Sequence, residues 1–83
     1  MIQTLAYLRE TLSNYLNEHE ICQRIYEKIM KVSYKDEDAF VNDLSEDEMR
    51  YLNDILPDEL SYAKEEQDEK RFNELNNIYG RLL

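Results

Sequence analysis

Apolar residues recur along the first segment at alternating steps of three and four, the period of an amphipathic helix: Leu5, Leu8, Leu12 and Tyr15/Leu16. The rhythm continues through His19, Cys22, Tyr26 and Ile29, with Ile21 and Ile25 widening the stripe. Two architectures fit residues 4–33. One is a single long helix. The other is a hairpin broken near Asn14–Asn17, in which Asn17 caps a second helix and Glu20 completes a capping box. The hairpin is favoured, because a small core cannot cover a rod of ~45 Å. No glycine or proline enforces the break.

Lys35 to Asp43 is polar apart from Ala39, Phe40 and Val41, and reads as a linker or a single helical turn that drops Phe40 into the core. The clearest local signal follows. Ser45 and Glu48 have capping-box spacing, and Leu44 and Met49 stand where a hydrophobic staple needs them. That helix turns Met49, Leu52 and Ile55/Leu56 inward and is expected to end before Pro57. Pro57 suits the first turn of a new helix, with Asp58 and Glu59 at its positive end and Leu60 and Ala63 facing inward.

From Lys64 to Arg71 there is no apolar residue, but Lys, Glu, Gln and Arg are good helix formers, so a continuous helix is expected to bridge the gap. Phe72, Leu75, Ile78/Tyr79 and Leu82 then resume the stripe, and Gly80 is expected to end it as a left-handed C-cap. No strand alternation and no internal repeat is present. The pattern predicts an all-α fold: a small compact bundle of three to five helices, opening with a helical hairpin, as a single domain over 1–83.

Length and composition narrow this picture. With 83 residues and 42% apolar content, the chain supports one thin core. Such a core supplies about 3–5 kcal/mol, and dimerisation would add to it. Cys22 is the single cysteine, so no intrachain disulfide forms, which fits a reducing cytosol. No apolar run approaches the ~18–20 residues of a spanning segment, and the start does not resemble a secretory signal. A cytoplasmic location away from the membrane is expected.

Charge changes the picture more. Residues 36–69 carry fourteen acidic side chains against Arg50 and Lys64, while the flanking segments are slightly basic, within a total of −9. A field of that sign repels nucleic acid and anionic lipid and favours a basic protein surface. The basic stripe Arg24, Lys28, Lys31 and Lys35 is too small to reverse this, so no direct contact with nucleic acid is expected. It reads as a solvated face or as a partner for the acidic block.

Candidate chemistry is sparse. His19 and Cys22 lie one turn apart, but two ligands do not make a structural zinc site, and His19-Glu20 lacks the second histidine of a zinc-protease motif. Cys22 has no base and orienting group at nucleophile spacing. Neither acidic register fits a calcium loop: where Asp36 starts it, Val41 stands at the glycine position, and where Asp43 starts it, Glu48 does. The sole glycine, Gly80, rules out a glycine-rich phosphate loop. No enzyme, metal or cofactor is therefore expected.

Two residue sets mark candidate interfaces. The first is an acidic, tyrosine-containing face: Tyr51, Asp54, Asp58, Glu59, Tyr62, Glu65, Glu66 and Glu69. Arginine-rich surfaces suit such a mixture through carboxylate pairing and stacking on rings. It predicts a non-enzymatic regulatory or adaptor protein docking on a basic surface of another protein, such as a nucleic-acid-binding protein. The second set is Phe72, Leu75, Ile78, Tyr79 and Leu82, which would pair with a second copy if the bundle lacked room for it. That predicts the alternative, a structural homodimer or larger oligomer whose acidic face serves only solubility.

Overall fold

The computed structural model describes residues 1–82 as five α-helices: α1 (Gln3–Ser13), α2 (Glu20–Lys31), α3 (Glu37–Asn42), α4 (Glu46–Glu65) and α5 (Glu69–Tyr79). Among the described residues there is no strand. The four longer helices close a ring in which α1 packs on α2 and α5, and α4 packs on α2 and α5. The short α3 links α2 to α4. One core results, with Leu8 and Leu12 of α1, Ile25 of α2, Phe40 of α3, Leu52 and Leu56 of α4 and Leu75 and Ile78 of α5 all fully buried. The expected helical bundle and its opening hairpin are both present.

The hairpin corner differs in detail from the expected cap. Asn17 caps nothing: the residue preceding α2 is His19, in extended conformation and without a side-chain cap bond. The turn before it closes on its own backbone, with Tyr15 N–H donating to Leu12 O and Glu18 N–H to Tyr15 O. Those bonds occupy the residues that an earlier helix start would require.

The Ser45–Glu48 capping box forms in full, and Leu44 is buried with Met49 half-buried against the core. Pro57 corrects the expectation of a helix end. α4 runs through it unbroken, with Pro57 itself exposed. The missing N–H and the ring clash cost about 3 kcal/mol in a helix interior. Leu52, Leu56, Leu60 and Ala63 form one buried stripe across the site, and their packing outweighs that penalty.

The polar stretch Lys64–Arg71 is not a continuous helix either. α4 ends in a Schellman motif: Gln67 has φ 59°, Asp68 N–H donates to Ala63 O and Gln67 N–H to Lys64 O. Asp68 then caps α5 by accepting from Arg71 N–H at 3.1 Å. The signal was hidden because glutamine stands where glycine normally marks the turn. A left-handed non-glycine residue costs about 1 kcal/mol or more. Gln67→Gly is therefore expected to raise stability by about 1 kcal/mol in urea denaturation, whereas in a continuous helix it would lower it by a similar amount.

Gly80, by contrast, is right-handed (φ −64°, ψ −16°), so it is not the left-handed cap expected from the sequence. The chain continues over it so that Leu82 is buried and its carbonyl accepts from the Asn53 side chain at 3.2 Å. Arg81 pairs with Asp38 of α3 at 2.7 Å, tying the end of the chain across the ring.

Candidate functional site

The twenty-residue α4 carries most of the acidic block, and folding divides its carboxylates into two kinds. Glu48 and Glu59 point inward. Glu48 accepts from Lys28 Nζ at 2.6 Å, from Ser45 N–H at 2.8 Å and from Arg24 Nε at 3.3 Å. Burial alone would raise its pKa, but these donors and the two cations outweigh burial and hold the carboxyl below the ordinary glutamate range. Two members of the basic stripe are thereby paired within the chain. Glu59 accepts from the Tyr15 hydroxyl and pairs with Arg71 at 3.5 Å, while the same guanidinium nitrogen donates to Thr11 Oγ1 at 3.1 Å. The hydrogen bond to Glu59, burial and the carboxylate's charge together push the Tyr15 hydroxyl well above its usual pKa.

The other kind faces outward. At 3.6 residues per turn, Asp47, Asp54, Asp58 and Glu65 fall within roughly 40° of arc along about 27 Å of helix. All four are exposed; among the described residues Asp54, Asp58 and Glu65 make no ion pair, and Asp47 only reaches Arg50 at 3.9 Å. Tyr62, 54% exposed, stands beside this ridge, and Glu66 and Glu69 extend it around the corner to α5.

The candidate docking face of the sequence is thus split. Asp54, Asp58, Tyr62, Glu65, Glu66 and Glu69 share the outer surface, whereas Tyr51 and Glu59 are buried. Tyr51 lies beside His19, ring centroids 5.4 Å apart, and its hydroxyl is buried. Cys22 is a packed thiol, donating to Leu12 O at 3.3 Å, and its pKa is raised chiefly by burial. Exposed His19 does not share that environment. Among the described residues no group of three or more His, Cys, Asp or Glu side chains is placed to hold a metal ion, and no helix is long and apolar enough to cross a membrane.

The candidate self-association stripe is likewise reassigned. Leu75, Ile78 and Leu82 are buried within one copy, and Phe72 and Tyr79 are half-buried against the same core. The ring of helices has room for the whole of α5, because the chain turns at Gln67 and brings it back against α1 and α4.

With that geometry in view, comparison with known proteins places the chain. The family described as "CsgA: Minor curli fiber component A" matches residues 1–83. The chain belongs to the CsgA family. A protein of Bacillus subtilis (strain 168) described as a "Sigma-G-dependent sporulation-specific SASP protein" is 52% identical over 80 residues, 96% of each chain. No solved structure matches the chain.

In this CsgA-family chain, sequence reasoning missed the Tyr15–Glu59–Arg71–Thr11 cluster. Its members lie up to 60 positions apart, and only the packing of α1, α4 and α5 brings them together. The one available signal was Glu59 itself, a carboxylate at a position where the inward stripe of α4 calls for an apolar side chain.

Proposed function

We propose that this CsgA-family chain is a non-enzymatic regulatory or adaptor protein of the cytoplasm of sporulating cells. It docks through the outer ridge of α4 on a basic surface of another protein, and contacts neither nucleic acid nor membrane directly. The observation that carries this reading is the division of the acidic block. Folding neutralises Glu48 and Glu59 inside but leaves Asp54, Asp58 and Glu65 aligned and unpaired outside. Like charges held in a row repel one another, and a partner rich in arginine or lysine relieves that repulsion. The sporulation setting comes from the Bacillus subtilis relative.

The word "fiber" in the family description favours no particular surface here. With no strand among the described residues, a cross-β fibre would require the helices to unfold first.

The test is affinity capture from sporulating-cell extract with the tagged chain, washed at low and moderate salt. The control carries Asp54→Asn, Asp58→Asn, Glu65→Gln and Glu66→Gln. One dominant basic protein, held by the native chain, released by salt and lost by the control, is the expected result. Recovery of the chain alone, or of a diffuse set of basic proteins by both forms, would overturn it.

A further inference from the structure

An open cleft of about 660 Å³ lies at the corner between α4 and α5. Its floor is apolar, formed by buried Ala63 and half-buried Phe72. Asp68 and Glu69 line it as well, with Lys64 the one cationic side chain among the lining residues. Among the described residues neither carboxylate is in an ion pair, and Asp68 uses one oxygen to cap α5. The negative end of α4 and the positive end of α5 meet at this corner and offset one another, so its charge is set by the side chains.

An aromatic face bordered by unpaired carboxylates matches one side chain better than any other. A guanidinium stacks flat on a ring, presents its N–H fork to carboxylates, and lays its aliphatic stem on apolar surface. A lysine ammonium supplies the same charge without the planar stacking or the fork. A second apolar groove, between Met1, Leu5, Ile29 and Met30, has no carboxylate among its lining residues and lacks this complementarity.

The geometry points to the Phe72 cleft as a socket for a single arginine side chain of the partner. This rests on the docking function proposed above and deepens it: the ridge supplies non-specific attraction, and the cleft supplies the choice of arginine over lysine.

The test uses two fluorescent glycine–serine peptides of equal charge, one carrying arginines and one lysines, titrated into the full chain. The native protein is expected to bind the arginine peptide roughly fivefold tighter. Phe72→Leu is expected to abolish the preference while leaving lysine-peptide binding unchanged, and Asp54→Asn with Asp58→Asn to weaken both peptides alike. Because Phe72 also packs against the core, Glu69→Gln at an exposed position provides a second variant, expected to weaken the arginine peptide more than the lysine peptide. NMR of the unaltered chain adds a further readout: the arginine peptide is expected to shift the Phe72 ring resonances.

Equal affinity for both peptides, or shifts confined to Asp54 and Asp58, would overturn the socket and leave the ridge standing. Binding of neither peptide would overturn both.

Discussion

Phe40→Ala is expected to unfold most of the chain at room temperature. Truncating a buried phenylalanine costs about 3–5 kcal/mol, and a core of this size supplies about the same in total. Phe40 is fully buried on α3, a helix of six residues, far shorter than an isolated helix needs for stability. Its ring also meets Tyr34 edge-on at 5.3 Å, and the Tyr34 hydroxyl donates to Asp43 at 2.7 Å, so one anchor organises the passage from α2 to α4. Far-UV circular dichroism during urea titration gives the test. Phe40→Leu, which keeps most of the volume, should cost no more than about 1.5 kcal/mol. A native-like midpoint for Phe40→Ala would mean that the polar ties Thr4–Glu37 and Asp38–Arg81 hold α3 without it.

Acid is expected to loosen the α2–α4 contact through Glu48. Its carboxyl is held below the ordinary glutamate value in the folded chain, so the stability it contributes is full above that value. It is lost as the pH falls through the folded value. Glu48→Ala removes half of the capping box and the shared acceptor of Arg24 and Lys28, with an expected cost of about 2–4 kcal/mol at neutral pH. The figure stays below that of a wholly buried pair because Arg24 and Lys28 are partly exposed. Glu48→Gln keeps one oxygen for the box and for Lys28 but loses the charge and the second acceptor, which faces Arg24. Thermal melts of the native chain and Glu48→Gln across the acidic range should converge as the pH falls. A constant gap between them would show that Glu48 is not the group titrating.

Much of the candidate site was legible because its signals are local. Asp54, Asp58 and Glu65 face outward at helix spacing whatever lies behind them, and the cap at Ser45 needs only its own turn. Tyr51 and Glu59 could not be sorted in the same way. Tyr51 sits at the flank of α4, where burial depends on the α1–α2 corner, and Glu59 sits on the inward stripe, where a charge is tolerated only because Arg71 is brought beside it. The Leu75–Leu82 stripe was correctly read as apolar, yet its partner could be chosen only after the turn at Gln67 was known.

By itself, the sequence determined an all-helical chain, a capped start at Ser45, one apolar stripe per helix and an acidic middle, and it favoured a break after the first helix without enforcing one. These follow from the 3.6-residue period and from hydrogen bonds within a single turn. Tertiary structure decided what competition among distant residues decides. Pro57 remains inside α4 because the stripe beneath it packs continuously, and Gln67 takes a left-handed turn because α5 must return to α1 and α4. It also decided that Glu48 and Glu59 are interior charges while Asp54, Asp58 and Glu65 stay free, since charge on a sequence carries no sign of which cation folding will bring beside it.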